Sequence, residues 1–130
     1  MILDSSALVA ILRGEPEEFE FASLLRSARV PKLSAASYVE TGIVTDSARD
    51  PVASAQLDAL IASARITIEP VTPAQAKIAR EAYRDFGKGS GHAARLNFGD
   101  CLAYALAKDK SEPLLFKGTD FAQTDVKCAR

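Results

Sequence analysis

Apolar positions follow two rhythms along this chain, short uninterrupted runs and longer stretches spaced by three and four. Met1-Ile2-Leu3 is a strand-like run that stops at a carboxylate, Asp4. Positions 7–12 then read as a helix that Ser5 or Ser6 can cap. After Arg13-Gly14 and Pro16, a helical pattern over 17–28 carries Phe19, Ala22, Leu24 and Leu25. Val30-Pro31-Lys32-Leu33-Ser34 reads as a second strand, its proline suited to an edge or a strand start. Ser34 or Ser37 opens a helix to about position 48, with Val39, Ile43 and Val44 as its apolar stripe. Asp50-Pro51 ends that helix or starts the next, which runs to about position 64 with Leu57, Leu60 and Ile61 inward. Positions 66–71 alternate as a strand does, and Thr72-Pro73 is a cap followed by proline in the first helical position. A helix over 74–86 follows, with Ala76, Ile78, Ala79, Ala82 and Tyr83 as candidate core.

Gly87-Lys88-Gly89-Ser90-Gly91-His92 interrupts the periodicity, and its glycines mark a flexible loop. Beyond it, positions 96–108 form an Ala- and Leu-rich helix with Asp100 in its first turn and an end signal at Ser111-Glu112-Pro113. Pro113-Leu114-Leu115-Phe116 is the apolar run of a strand buried on both faces. The tail suggests a small helix over 121–123 and a short last strand near Val126. Strands alternating with helices predict a three-layer α/β/α sandwich with a mainly parallel central sheet, residues 1–130 forming one domain.

Composition narrows the function classes. Apolar content of 48% permits a core, and no apolar run is long enough to span a membrane. The start lacks the basic and apolar segments of a signal peptide, so a cytoplasmic protein is expected. Cys101 and Cys128 call for no disulfide, and with His92 as the only histidine they make no zinc-finger pattern. A net charge of −1 does not advertise a nucleic-acid binder, yet it permits an enzyme that grips nucleic acid through a local patch and a metal.

In parallel sheets ligands bind beyond the carboxyl ends of the strands, at a topological switch point. Asp4 follows the first strand, Glu40 lies a turn or two after the second, Asp120 follows the fourth, and Asp100 opens the helix leading into it. Four carboxylates can thus converge on one sheet edge. They would repel one another and resist ionisation unless a cation joined them. Oxygen donors without His or Cys suit Mg²⁺ or Mn²⁺, which points to metal-assisted phosphodiester hydrolysis. Each acid also has an ordinary reading: Asp4 as a helix cap, Glu40 as a solvent-facing helix residue, Asp100 as a helix-start acid, Asp120 as a turn residue. Asp125, close behind, reads as a turn or cap and is a reserve fifth acid.

The stretch Met1-Ile2-Leu3-Asp4-Ser5-Ser6-Ala7-Leu8 resembles the opening of PIN-domain proteins, and Ser34 to Glu40 resembles their second motif. Leu96-Asn97-Phe98-Gly99-Asp100-Cys101-Leu102-Ala103 and Leu114-Leu115-Phe116-Lys117-Gly118-Thr119-Asp120-Phe121 resemble the third and fourth, which are the more specific. In particular the chain is similar to the compact PIN toxins of VapBC-type toxin–antitoxin pairs. That resemblance implies a Mg²⁺- or Mn²⁺-dependent endoribonuclease, a cognate antitoxin and a homodimer. It implies Asp4, Glu40, Asp100 and Asp120 as the catalytic acids. Asp4 and Asp100 would be the foremost metal ligands, Asp120 a further one, and Ser6 and Asn97 their hydrogen-bonding support.

For RNA, the glycine loop offers Lys88, His92 and Arg95 beside Asp100, and Lys117 adjoins the fourth motif. His92 reads more readily as a solvated loop residue, and Lys117 reads also as a surface lysine. A haloacid-dehalogenase-type phosphatase needs a second Asp where Ser6 stands, and a receiver domain wants paired acids before its strand. A non-catalytic PIN-like binding module and a structure-specific DNA nuclease remain as alternatives.

Overall fold

Ile2 and Leu3 point to opposite sides of a sheet and enter two different cores. They form β1 (Ile2–Leu3) of a computed structural model that describes residues 1–130. The other strands are β2 (Lys32–Ser34), β3 (Thr67–Glu69) and β4 (Leu114–Leu115), all parallel, in the order β3-β2-β1-β4. Leu3 stands opposite Leu33 and Leu115 in the register. Six helices lie between the strands: α1 (Ser5–Leu12), α2 (Glu18–Ser27), α3 (Ala35–Asp46), α4 (Pro51–Ser63), α5 (Pro73–Phe86) and α6 (Phe98–Lys110). One core gathers Ile2, Leu114 and Phe116 with α5 and α6; the other gathers Leu3, Leu33 and Leu115 with α1 and α2. This is the expected α/β class with a parallel central sheet.

Sequential strands step outward from β1 to β3, and the chain then crosses back to place β4 on the other side of β1. The switch point therefore lies between β1 and β4, at the residue after Leu3. α6 is buried without a break from Cys101 to Ala107, the mark of a helix enclosed by its own domain. No helix is long and apolar enough to cross a membrane. Both cysteines are free.

Several local expectations need correcting. The inward face of α3 is Ser37, Thr41 and Thr45, whereas Val39 and Ile43 are 57% and 64% exposed. The two threonine hydroxyls satisfy themselves on their own helix: Thr41 Oγ1 donates to the Ser37 carbonyl at 2.8 Å and Thr45 Oγ1 to that of Thr41 at 3.1 Å. Small side chains thus let α3 pack closely against α1 and α6. Ala76 and Tyr83 are exposed rather than core, and Phe19 of α2 is exposed as well. Of the caps the sequence offers for α1, Asp4 is the one used, rather than Ser5 or Ser6. β3 stops at Glu69, and in place of a last strand near Val126 there is a single bridge between Leu114 and Cys128.

Candidate active site

The carboxyl end of β1 delivers Asp4 to the switch point. Its backbone is extended, as a helix cap requires, and its side chain accepts from the Ser6 N–H at 3.0 Å and from Ser6 Oγ at 2.5 Å. Both bonds fall on Oδ2. The other oxygen, Oδ1, is buried and has no hydrogen-bond partner. Burial raises the carboxyl above its ordinary range, the Ser6 bonds pull it down, and Glu40 raises it again. Ser6 Oγ also accepts from the Lys117 N–H at 3.0 Å, which fastens the start of α1 to the end of β4.

Ser34 caps α3, accepting from the Ala36 N–H at 3.3 Å. Glu40, on the second turn, turns back towards α1 and accepts a hydrogen bond from Ser5 Oγ. On α6 a reciprocal cap sets Asp100: Asn97 Oδ1 accepts from the Asp100 N–H and Asp100 Oδ2 from the Asn97 N–H, both at 2.9 Å. Burial pushes the Asp100 carboxyl up to about 6; the Asn97 bond opposes this, and the charges of Asp4, Glu40 and Asp120 add to it. Asp120 is exposed at the head of the turn Phe121–Gln123 and makes no capping bond.

The fold therefore brings Asp100 within electrostatic reach of Asp4, Glu40 and Asp120, and Asp4 within reach of Glu40, from positions spread over 116 residues of sequence. Asp125 points elsewhere. It accepts from Tyr104 Oη at 2.6 Å and Lys108 Nζ at 2.9 Å, and these bonds hold its carboxyl below the usual range.

No three carboxylates stand as a ready-made cage. Mg²⁺ does not require one, because it commonly takes one or two carboxylates and keeps waters for its remaining positions. The donor set fits such an ion: all oxygen, like-charged, and with one buried Asp4 oxygen unpartnered.

The basic residues are placed unequally. Lys88 and Arg95 are exposed. The ring of His92 stands edge-on to Phe86, at 4.9 Å between centroids, and its Nδ1 accepts from the Ala94 N–H at 3.1 Å. Lys117 Nζ is shared between Glu15 and Glu17, the latter at 3.1 Å. The loop is less free than its glycines suggest. A parallel bridge joins Gly87 to Leu96, and Tyr83 Oη donates to the Lys88 carbonyl at 2.8 Å.

Two neighbours of the acids escaped the sequence reading of the site. Ser5 was visible only as a cap, and Gly99 only as part of a motif. The available signal was a glycine inside the first turn of an otherwise Ala- and Leu-rich helix, where it costs helix stability and asks for a local reason.

Comparison with known proteins gives the chain its family. Ribonuclease VapC28 of Mycobacterium tuberculosis is 60% identical over 129 residues, which is 99% of this chain and 97% of that protein. The crystal structure of M. tuberculosis VapC20, described as a sarcin-ricin loop cleaving toxin, has the same fold. Its TM-score is 0.73 at 20% identity, with 96% of this chain and 95% of that chain covered. A chain of a toxin–antitoxin complex from Klebsiella pneumoniae gives a TM-score of 0.69 at 16% identity, covering 93% and 89%. With the family model of the PIN domain matching residues 1–127, the chain belongs to the PIN-domain family, among the VapC ribonucleases.

Proposed function

We propose that residues 1–130 act as one PIN domain, the toxin of a toxin–antitoxin pair, and hydrolyse RNA phosphodiesters with Mg²⁺ or Mn²⁺. What supports this reading is the setting of Asp100 at the start of α6, within electrostatic reach of Asp4, Glu40 and Asp120, where burial and those three charges push its carboxyl up to about 6. Asp4 and Asp100 would hold the cation, with Asp120 at the open side. Bound there, a divalent ion supplies Lewis acidity to the phosphodiester and offsets the charge of the acids. Glu40 takes the proton of the attacking water as one P–O bond forms and another breaks. Ser6 and Asn97 orient Asp4 and Asp100.

Lys88 and Arg95 are the cations freest to take RNA phosphates. Lys117 and His92 would take them only by giving up part of their present contacts. An antitoxin partner is supported by the Klebsiella neighbour, which comes from a toxin–antitoxin complex. Uncovered apolar side chains at Val39 and Ile43, and at Tyr83 and Phe98, offer surface to an antitoxin and to a second copy in a homodimer. A cytoplasmic location is the one that suits a cellular RNA substrate.

The test is incubation of purified protein with total RNA, with Mn²⁺ or Mg²⁺, with EDTA, and beside Asp4→Asn and Asp100→Asn prepared identically. Cleavage that needs the metal and is lost in both variants is expected. Cleavage that persists in both variants would refute the site. A folded wild type that cuts no RNA but binds an antitoxin would favour the binding module.

A further inference from the structure

The Glu40 carboxylate sits between two groups that the proposed chemistry leaves unused. One oxygen, Oε1, takes the Ser5 hydroxyl, at the first residue of α1. The other, Oε2, faces Gly99 in the first turn of α6. A Cβ built on Gly99 would lie 2.1 Å from Oε2, 2.8 Å from Cδ and 3.1 Å from Oε1 of Glu40. Those are the three atoms nearest to it.

Backbone conformation does not explain a glycine there. Gly99 is not among the residues with positive φ, so its backbone would accept alanine. It stands within a helix, where alanine is the better former. The atoms a methyl group would meet first are the far end of one flexible side chain and not backbone. The substitution is therefore cheap for the structure and expensive only for the placement of Glu40. Displaced, Glu40 would also leave the Ser5 hydroxyl, since both contacts belong to one carboxylate.

We infer that Ser5 and Gly99 are positioning residues: together they seat the Glu40 carboxylate beside Asp4 and Asp100, Ser5 by holding one oxygen and Gly99 by leaving room for the other. The inference deepens the reading of this chain as a metal-dependent ribonuclease and rests on it. It makes the helix starts of α1 and α6 a mould for an acid that α3 delivers. The glycine before Asp100 thus acts on the site through Glu40, and not through Asp100 next to it.

The experiment compares wild type, Gly99→Ala, Ser5→Ala, Glu40→Ala and the double variant Gly99→Ala/Glu40→Ala. Each is measured for melting temperature, for Mn²⁺ affinity without RNA, and for kcat and KM of RNA cleavage. Gly99→Ala is expected to melt at or above the wild type while kcat falls about 10²-fold with KM little changed. Its Mn²⁺ affinity should fall about tenfold, the lower end of what loss of a supporting contact costs a metal site. In the Glu40→Ala background the Gly99→Ala penalty should vanish, because the carboxylate it displaces is gone. Ser5→Ala should show the same dependence on Glu40, and it carries the test if Gly99→Ala does not fold. Wild-type cleavage and Mn²⁺ affinity in both Gly99→Ala and Ser5→Ala would overturn the inference alone. So would penalties that persist undiminished without Glu40. A wild type that neither binds Mn²⁺ nor cuts RNA would overturn the ribonuclease reading and this inference with it.

Discussion

Ser6 Oγ accepts from the Lys117 backbone N–H at 3.0 Å while donating to Asp4 Oδ2 at 2.5 Å, so one hydroxyl ties the end of β4 to the acid at the end of β1. Removing it would leave the Lys117 N–H without its partner and Asp4 with only the Ser6 N–H. Ser6→Ala is expected to cost about 1 kcal/mol of stability, the usual net value of one such bond, and to cut cleavage about tenfold or more. Ser6→Thr keeps the hydroxyl and should keep both. Denaturant melts alongside a cleavage assay decide it, and an alanine variant with full activity would remove Ser6 from the site.

Asp100 gives the metal-free protein a particular pH dependence. Its folded pKa, about 6, lies above the ordinary carboxylate value near 3.9. Below that ordinary value it is protonated in both states and contributes nothing. As pH rises towards about 6, the unfolded chain releases the proton while the folded one keeps it, so the folded state loses stability relative to the unfolded. Above about 6 the loss is complete and constant. In EDTA, Asp100→Asn should therefore melt with the wild type near pH 4 and above it by a few degrees from pH 6 upward. Added Mn²⁺ should raise the melting temperature of the wild type and not that of the variant. Parallel melting of the two proteins across the whole range would refute this electrostatic account.

Much of this was legible in residue order, because strand-then-acid is a local pattern that the parallel fold repeats. Leu3 to Asp4 and Phe116 to Asp120 place acids at the switch point, and Asn97 with Asp100 writes its own helix start. What resisted reading was tertiary. The stripe Val39 and Ile43 looks like a core face, yet α3 is approached by α1 and α6 so closely that only Ser37, Thr41 and Thr45 fit inside. Likewise the glycines at 89 and 91 signal freedom, whereas the bridge from Gly87 to Leu96 and the Tyr83 hydroxyl restrain the loop. The need for Gly99 is set by Glu40, 59 positions away in sequence, and no local pattern encodes it.

That reversal of α3 has a direct consequence for stability. Val39→Ser and Ile43→Ser should each change it by no more than about 0.5 kcal/mol, as exposed sites do. Thr41→Leu, which forces a larger side chain into a fully buried position, should cost about 1–3 kcal/mol. Urea denaturation of the three variants checks this. A costly Val39→Ser beside a neutral Thr41→Leu would restore the original stripe as the inward face.

The cations around the acids should separate by their present engagements. Lys117 Nζ is already shared by Glu15 and Glu17, so an RNA phosphate would have to compete with two carboxylates for it. Lys88 and Arg95 are exposed and enter no ion pair. A lysine that contacts phosphate releases counterions on binding, and its loss lowers the slope of log K against log salt by about one. Lys88→Ala and Arg95→Ala are thus expected to weaken RNA binding at low salt and to flatten its salt dependence. Lys117→Ala should leave the slope unchanged and instead lower the melting temperature, since Glu15 and Glu17 then repel each other without their shared cation. Binding titrations on the cleavage-deficient Asp100→Asn background, at several salt concentrations, distinguish the two classes. A flattened slope for Lys117→Ala with no loss of stability would mean that its ammonium leaves the two glutamates to meet the RNA.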